Sequence, residues 1–137
     1  MNILFPIFAM AALTLFCLLR LGQLRYVAVR RGEVDPRYFL IYRGYEEPER
    51  LAVYSRHVVN HFETPVLFYV ICITAFVTGQ AGPITIAMAW AYVALRYLHS
   101  FIHLGSNTVI NRFRVFILSI TVLVALWATV LTGLMRQ

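Results

Sequence analysis

Two stretches of this chain, residues 3–19 and 115–135, contain no charged side chain at all. A helix crosses a bilayer with about 20 apolar residues, so each stretch is close to the length of one span. The whole chain of 137 residues is 61% hydrophobic and 13% charged. Water-soluble domains hold about 45–50% apolar and about 25% charged residues, so the excess belongs to a membrane protein. Two further segments are long enough to span but carry polar residues. One begins near residue 51; the other follows "GQAGP" and begins at Pro83.

The pattern predicts an all-α, integral membrane four-helix bundle. Its helices are expected near 3–28, 51–78, 83–105 and 112–135, with a loop over 29–50, in one membrane domain covering residues 1–137. The opening "MNILF" lacks the basic start of a signal peptide, and the basic residues follow the first run, which is therefore read as a helix.

Charge sets the expected orientation. All 12 cations are arginines, and seven of them, from Arg25 to Arg56, lie in or beside the first loop. Arg112 and Arg114 flank the third connection, whereas "TGQAGP" carries no charge. Basic loops stay in the cytoplasm, which puts the first and third loops inside and both termini outside. Tyr38, Tyr42 and Tyr45 are expected at the headgroup level, where aromatic rings are favoured. The net charge of +6 does not imply nucleic acid, because these arginines flank spans and no nucleic-acid motif accompanies them.

Inside the second segment, "RHVVNHFETPVLFYV" sets Arg56, Asn60 and Glu63 at i, i+4 and i+7, one face of a helix turning about 100° per residue. In the third, "RYLHSFIHLGSN" sets Arg96, His99 and His103 at i, i+3 and i+7, again one face. Ionisable groups at bilayer depth cost several kcal/mol unless paired, and they mark functional sites. Counted from their helix ends, Glu63 and Arg96 both lie about 13–18 Å deep, which predicts an ion pair between them. Polar groups between membrane helices also serve as glue, worth about 0.6 kcal/mol each. Glue accounts for one asparagine or one histidine, but not for Arg25, Arg56 and Arg112 gathering at one end of the bundle. That cation surplus asks for an anion from outside the chain. Arginine forks match carboxylates, so a small polycarboxylate is the expected guest.

The histidines form two i, i+4 pairs, His57 with His61 and His99 with His103, and such pairs on facing helices can hold haem or a metal. No metal is expected here. His57 and His61 point about 100° away from the Arg56 face, and His99 and His103 share theirs with the cation Arg96. Cys17 and Cys72, each alone in an apolar run, are read as core or lipid-facing thiols with no disulfide framework.

"ERLAVYSRHVVNHFETP", "RYLHSFIHLGSNTVINRFRVF" and "LGQLR" together resemble the membrane-associated proteins in eicosanoid and glutathione metabolism, MAPEG. The likeness is nearest to the microsomal glutathione transferase and prostaglandin E synthase branch and covers nearly the whole chain. It implies a homotrimer of four-helix protomers with glutathione, a co-substrate, held between subunits near the cytoplasmic face. Arg25, Arg56, Asn60, Glu63, His99 and Arg112 match its glutathione-contacting positions, and Arg96 its deep arginine. Arg112, with His103 as a hydrogen-bond donor to sulfur, would favour the glutathione thiolate for attack on a hydrophobic electrophile or lipid hydroperoxide.

Three departures stand out. His103 occupies a place where several members have tyrosine; Phe113 stands where one branch has serine, against prostaglandin synthesis; Pro65 comes early after Glu63 and predicts a kink. The alternative expectation is a non-catalytic membrane binding or scaffolding protein of the same fold. Arginine-only usage and the lack of a terminal retention motif point to a bacterial inner membrane.

Overall fold

The computed structural model describes residues 2–44 and 47–136, the Ile41 side chain excepted. Tyr45, expected at the headgroup level, lies outside the described residues. The chain runs α1 (Leu4–Arg30), α2 (Tyr38–Ile41), α3 (Glu49–His61), α4 (Thr64–Val77), α5 (Pro83–Leu104) and α6 (Val109–Leu134). Among the described residues there is no strand, and the all-α class stands.

Leu4–Arg30, Glu49–Val77 and Val109–Leu134 are each long and apolar enough to cross a membrane. The fourth expected span, α5, has 22 residues and is about 33 Å long at 1.5 Å per residue, enough for the distance but less apolar. Its position explains how it tolerates polar residues. It packs against α1, α3, α4 and α6, so Arg96, His99, Ser100 and His103 are buried by protein. Pro83 opens it at the first turn, where the missing N–H is no loss.

The second predicted helix is two helices. Pro65 has no N–H to return to the His61 carbonyl, and the ladder stops at Phe62 and Glu63, whose ψ is −92°. The expected kink is thus a full interruption. Below it the core is knit by Phe68 stacked on Tyr92, ring centres 4.6 Å apart, and by the Tyr92 hydroxyl donating to Thr64 Oγ1 at 3.2 Å. The loop predicted over 29–50 begins at Arg31 and contains α2, where Tyr38, Phe39 and Tyr42 meet edge to face.

Candidate functional site

At the α5–α6 turn, the polar ends of three helices converge. Arg56, Val59 and Asn60 from α3, His103 from α5, Asn107 from the turn, and Val109 and Arg112 from α6 line a cavity of about 470 Å³. A smaller hollow of about 220 Å³ adjoins it through Asn60, Val109 and Arg112 and adds His99, Phe113 and Phe116. Five of the eight residues singled out by sequence, Arg56, Asn60, His99, His103 and Arg112, therefore meet in one place.

Arg112 is the hub. Its NH1 lies 3.2 Å from His103 Nε2 and donates to Asn107 Oδ1 at 2.9 Å. A guanidinium has no acceptor, so His103 presents a lone pair at Nε2 and carries its proton on Nδ1. His99 Nδ1–H donates to the Arg112 carbonyl at 3.2 Å, again a tautomer set by its partner. Asn107 is the residue that sequence reasoning missed. Its φ of 48° lies in the left-handed region, where asparagine is tolerated, and its N–H closes on the Ile102 carbonyl at 2.8 Å. An asparagine two residues past a glycine at a helix end was the available signal.

Arg96 sits beside this cavity, fully buried, and gives NH2 to the Asn60 carbonyl at 3.2 Å. Its Nε and NH1 have no hydrogen-bond partner, and its Cζ stands 5.9 Å from the Phe116 ring centre. The expected Glu63–Arg96 ion pair does not form: among the described residues no carboxylate comes within 4 Å of Arg96. The break at Phe62 and Glu63 is the reason. It ends the register that would have kept Glu63 on the Arg56–Asn60 face, and Glu63 stands exposed on the protomer's outer surface. Arg25 also lies apart from the cavity. Its guanidinium packs 5.3 Å from the Phe39 ring centre and 5.8 Å from that of Tyr42.

The two histidine pairs approach each other. His57 lies stacked over His99 at 6.1 Å and tilted against His103 at 4.8 Å, with its Nε2 3.2 Å from His61 Nε2. The 100° separation on α3 holds, but α5 is close enough to receive both faces. Cys17 and Cys72 are buried free thiols.

Fold and site together define a multi-pass helical membrane protein with a cation-lined cavity at one end of its bundle. More narrowly, residues 3–132 match the family model described as MAPEG family, and the chain belongs to that family. Membership places it among glutathione-related membrane transferases and peroxidases at the coarse level. No curated protein and no solved structure matches the chain.

Proposed function

We propose that the protein is a glutathione-dependent transferase or peroxidase acting on hydrophobic molecules within a membrane. The observation that carries this reading is Arg112, held by His103 and Asn107 at the wall of a cavity that also receives Arg56 and Asn60. The cavity of about 470 Å³ falls in the range of about 300–1,000 Å³ usual for small-ligand clefts. Glutathione offers two carboxylates, and Arg56 and the buried, underused Arg96 are the forks that suit them. Asn60 supports the peptide, His99 steadies the Arg112 backbone, and Arg112 is left for the sulfur.

A free thiol titrates near about 8.5, and an adjacent cation favours the thiolate that reacts. In transfer, the sulfur bonds to an electrophilic carbon and the leaving group departs with its electron pair. In peroxide reduction, the thiolate takes the terminal oxygen of ROOH and the alkoxide leaves as alcohol after protonation. A second glutathione then displaces hydroxide from the sulfenic acid, giving disulfide and water. His103, accepting from Arg112 at Nε2, orients that guanidinium, and Arg112 is the donor next to the reacting sulfur.

Glu63 and Arg56, both exposed on the lone protomer, support the homotrimer and a glutathione site shared between subunits. In that assembly Glu63 takes the ammonium of glutathione, and Arg25 serves the site from a neighbour. The cation distribution supports cytoplasmic first and third loops and outward termini.

The test is titration of the detergent-purified protein with glutathione, following thiolate absorbance near the ultraviolet edge. A saturable thiolate band, with conjugation of an apolar electrophile or turnover of a lipid hydroperoxide, is the expected outcome. Saturable binding without the band would make the protein a binder or scaffold. Absence of binding would defeat the assignment of the site.

A further inference from the structure

A second polar cluster lies about 100° around α3 from the cavity face, between α3 and α1, and the glutathione reading makes no use of it. Cys17 Sγ and one ring nitrogen from each of His57 and His61 lie within 4.8 Å of one another. All three side chains are at most 1% exposed. They come from two elements, so the grouping is a product of the fold rather than of local sequence.

The proton count around this cluster is informative. Thr14 Oγ1 donates its one hydrogen to the Met10 carbonyl at 3.1 Å, so at 3.1 Å from His61 Nδ1 it accepts. His61 therefore carries its proton on Nδ1 and turns a bare Nε2 lone pair toward His57 Nε2, 3.2 Å away. His57 has two neutral choices. A proton on Nε2 satisfies His61 but leaves Nδ1, buried and without a partner, as an unmatched acceptor. A proton on Nδ1 sets two lone pairs face to face. With the Thr14 hydrogen committed to Met10, either neutral form of His57 leaves a lone pair unmatched in a buried site, and one cation between the two Nε2 atoms would take the two that face each other.

The distances suit such an ion. Around a three-coordinate centre the donors spread to about 120°, so two nitrogens bound at about 2.0–2.1 Å stand about 3.5 Å apart, within a few tenths of an ångström of the 3.2 Å found here. Sulfur at about 2.3 Å would stand about 3.8 Å from each nitrogen, inside the 4.8 Å that bounds the three donor atoms here. Thr14 plays the supporting part usual for a ligating histidine, fixing its tautomer and ring plane from the far nitrogen.

Charge selects the metal. Arg96 lies one turn from His99, which stacks on His57, so a fixed cation already occupies this region. A dipositive ion bound to one thiolate and two neutral imidazoles leaves a net positive charge beside it, which burial penalises. Copper(I) with the same ligands is neutral, and thiolate with imidazole is a donor set it favours. We infer that Cys17, His57 and His61 form a closed site for one copper(I) ion per chain, the Cys17 thiol releasing its proton as the copper–sulfur bond forms.

Detergent-purified full-length protein, free of glutathione and kept anaerobic with ascorbate, is offered copper(I) in competition with bathocuproine disulfonate. One copper per chain is expected, with X-ray absorption showing one sulfur and two nitrogen neighbours. Cys17→Ser should weaken retention by about a hundredfold and Thr14→Val by about tenfold, while Cys72→Ser changes nothing. The absorption spectrum of the unaltered protein needs no variant to fold, so it decides alone if Cys17→Ser is lost to misfolding. No retained copper, a coordination shell without sulfur, or unchanged affinity in a folded Cys17→Ser protein would overturn the site. Preference for zinc over copper would overturn the choice of ion.

Discussion

Replacing Arg112 by alanine removes the one cation that the cavity holds by two side-chain contacts, and the size of the effect follows from its setting. Opposite unit charges about 4 Å apart attract by about 4 kcal/mol at an effective dielectric near 20. Arg112 is half-buried and its NH1 is already engaged by His103 and Asn107. Halving the attraction for solvent screening and shared hydrogen bonds leaves about 2 kcal/mol, or about a thirtyfold change in thiolate population near neutral pH. Arg112→Ala should therefore bind glutathione within a few-fold of the parent, because Arg56 and Arg96 remain for its carboxylates, yet lose most of the thiolate band and about thirtyfold in turnover. Difference absorbance of the glutathione complex measures the band, and calorimetric titration measures binding separately. Arg112→Lys should recover part of the band, since it keeps the charge but loses the guanidinium nitrogen that neither His103 nor Asn107 engages. An unchanged band in a folded, glutathione-bound Arg112→Ala protein would refute the assignment of Arg112 to the sulfur.

Asn107→Ala should lower the thermal midpoint by an amount equivalent to about 1–2 kcal/mol, because alanine resists the left-handed backbone at φ 48°. Asn107→Gly should restore that stability but not the thiolate band, which separates the backbone role from the hold on Arg112. Tyr92→Phe should cost about 1 kcal/mol in denaturant unfolding through the lost bond to Thr64, with glutathione affinity unchanged. Glu63→Gln should leave the helix content of the protomer unaltered by circular dichroism, since Glu63 is exposed there, while glutathione affinity falls by about tenfold through a lost charge-assisted contact. Retention of full affinity would place Glu63 outside the shared site.

The spacing of apolar runs was enough to find the helices, because a lipid-facing segment has little freedom but to be long, helical and uncharged. The polar stripes were legible for a related reason: Arg56 with Asn60, and His99 with His103, are single faces of uninterrupted helices, and each stayed together. The Glu63–Arg96 ion pair was misjudged because Glu63 lies where Pro65 has already halted the ladder. The spacing i, i+7 assigns a common face only while every intervening residue keeps helical angles, and a ψ of −92° at Glu63 ends that count. A proline marks where such a break falls, but not how far the chain turns there. Asn107 escaped notice because its value lies in a turn, where no period exists to betray a buried partner. The convergence of His57 on His99 and His103 of α5 was out of reach as well, since helix periodicity assigns directions on one helix and says nothing about which neighbour stands in each direction.

One short helix, α3, carries residues of both proposed sites. On α3, Arg56 and Asn60 look toward α6 and the cavity, while His57 and His61, about 100° around, look toward α1 and Cys17. Only 13 residues carry both faces, and the interruption after His61 keeps either from running on into the apolar α4. An unbroken helix would have continued the polar register into the centre of the bilayer, where each added ionisable group costs several kcal/mol. The break therefore confines the polar faces to the half of the bundle near the α5–α6 turn and frees Thr64 to bond Tyr92 in the apolar half. Pro65→Ala, by letting the His61 carbonyl regain a backbone donor, should lengthen the helix by about one turn in amide hydrogen exchange and swing Glu63 toward the Arg56 face. Glutathione affinity should change with it, and exchange protection at Phe62, Glu63 and Thr64 identical to the parent would show that the break is imposed by tertiary packing rather than by the missing N–H.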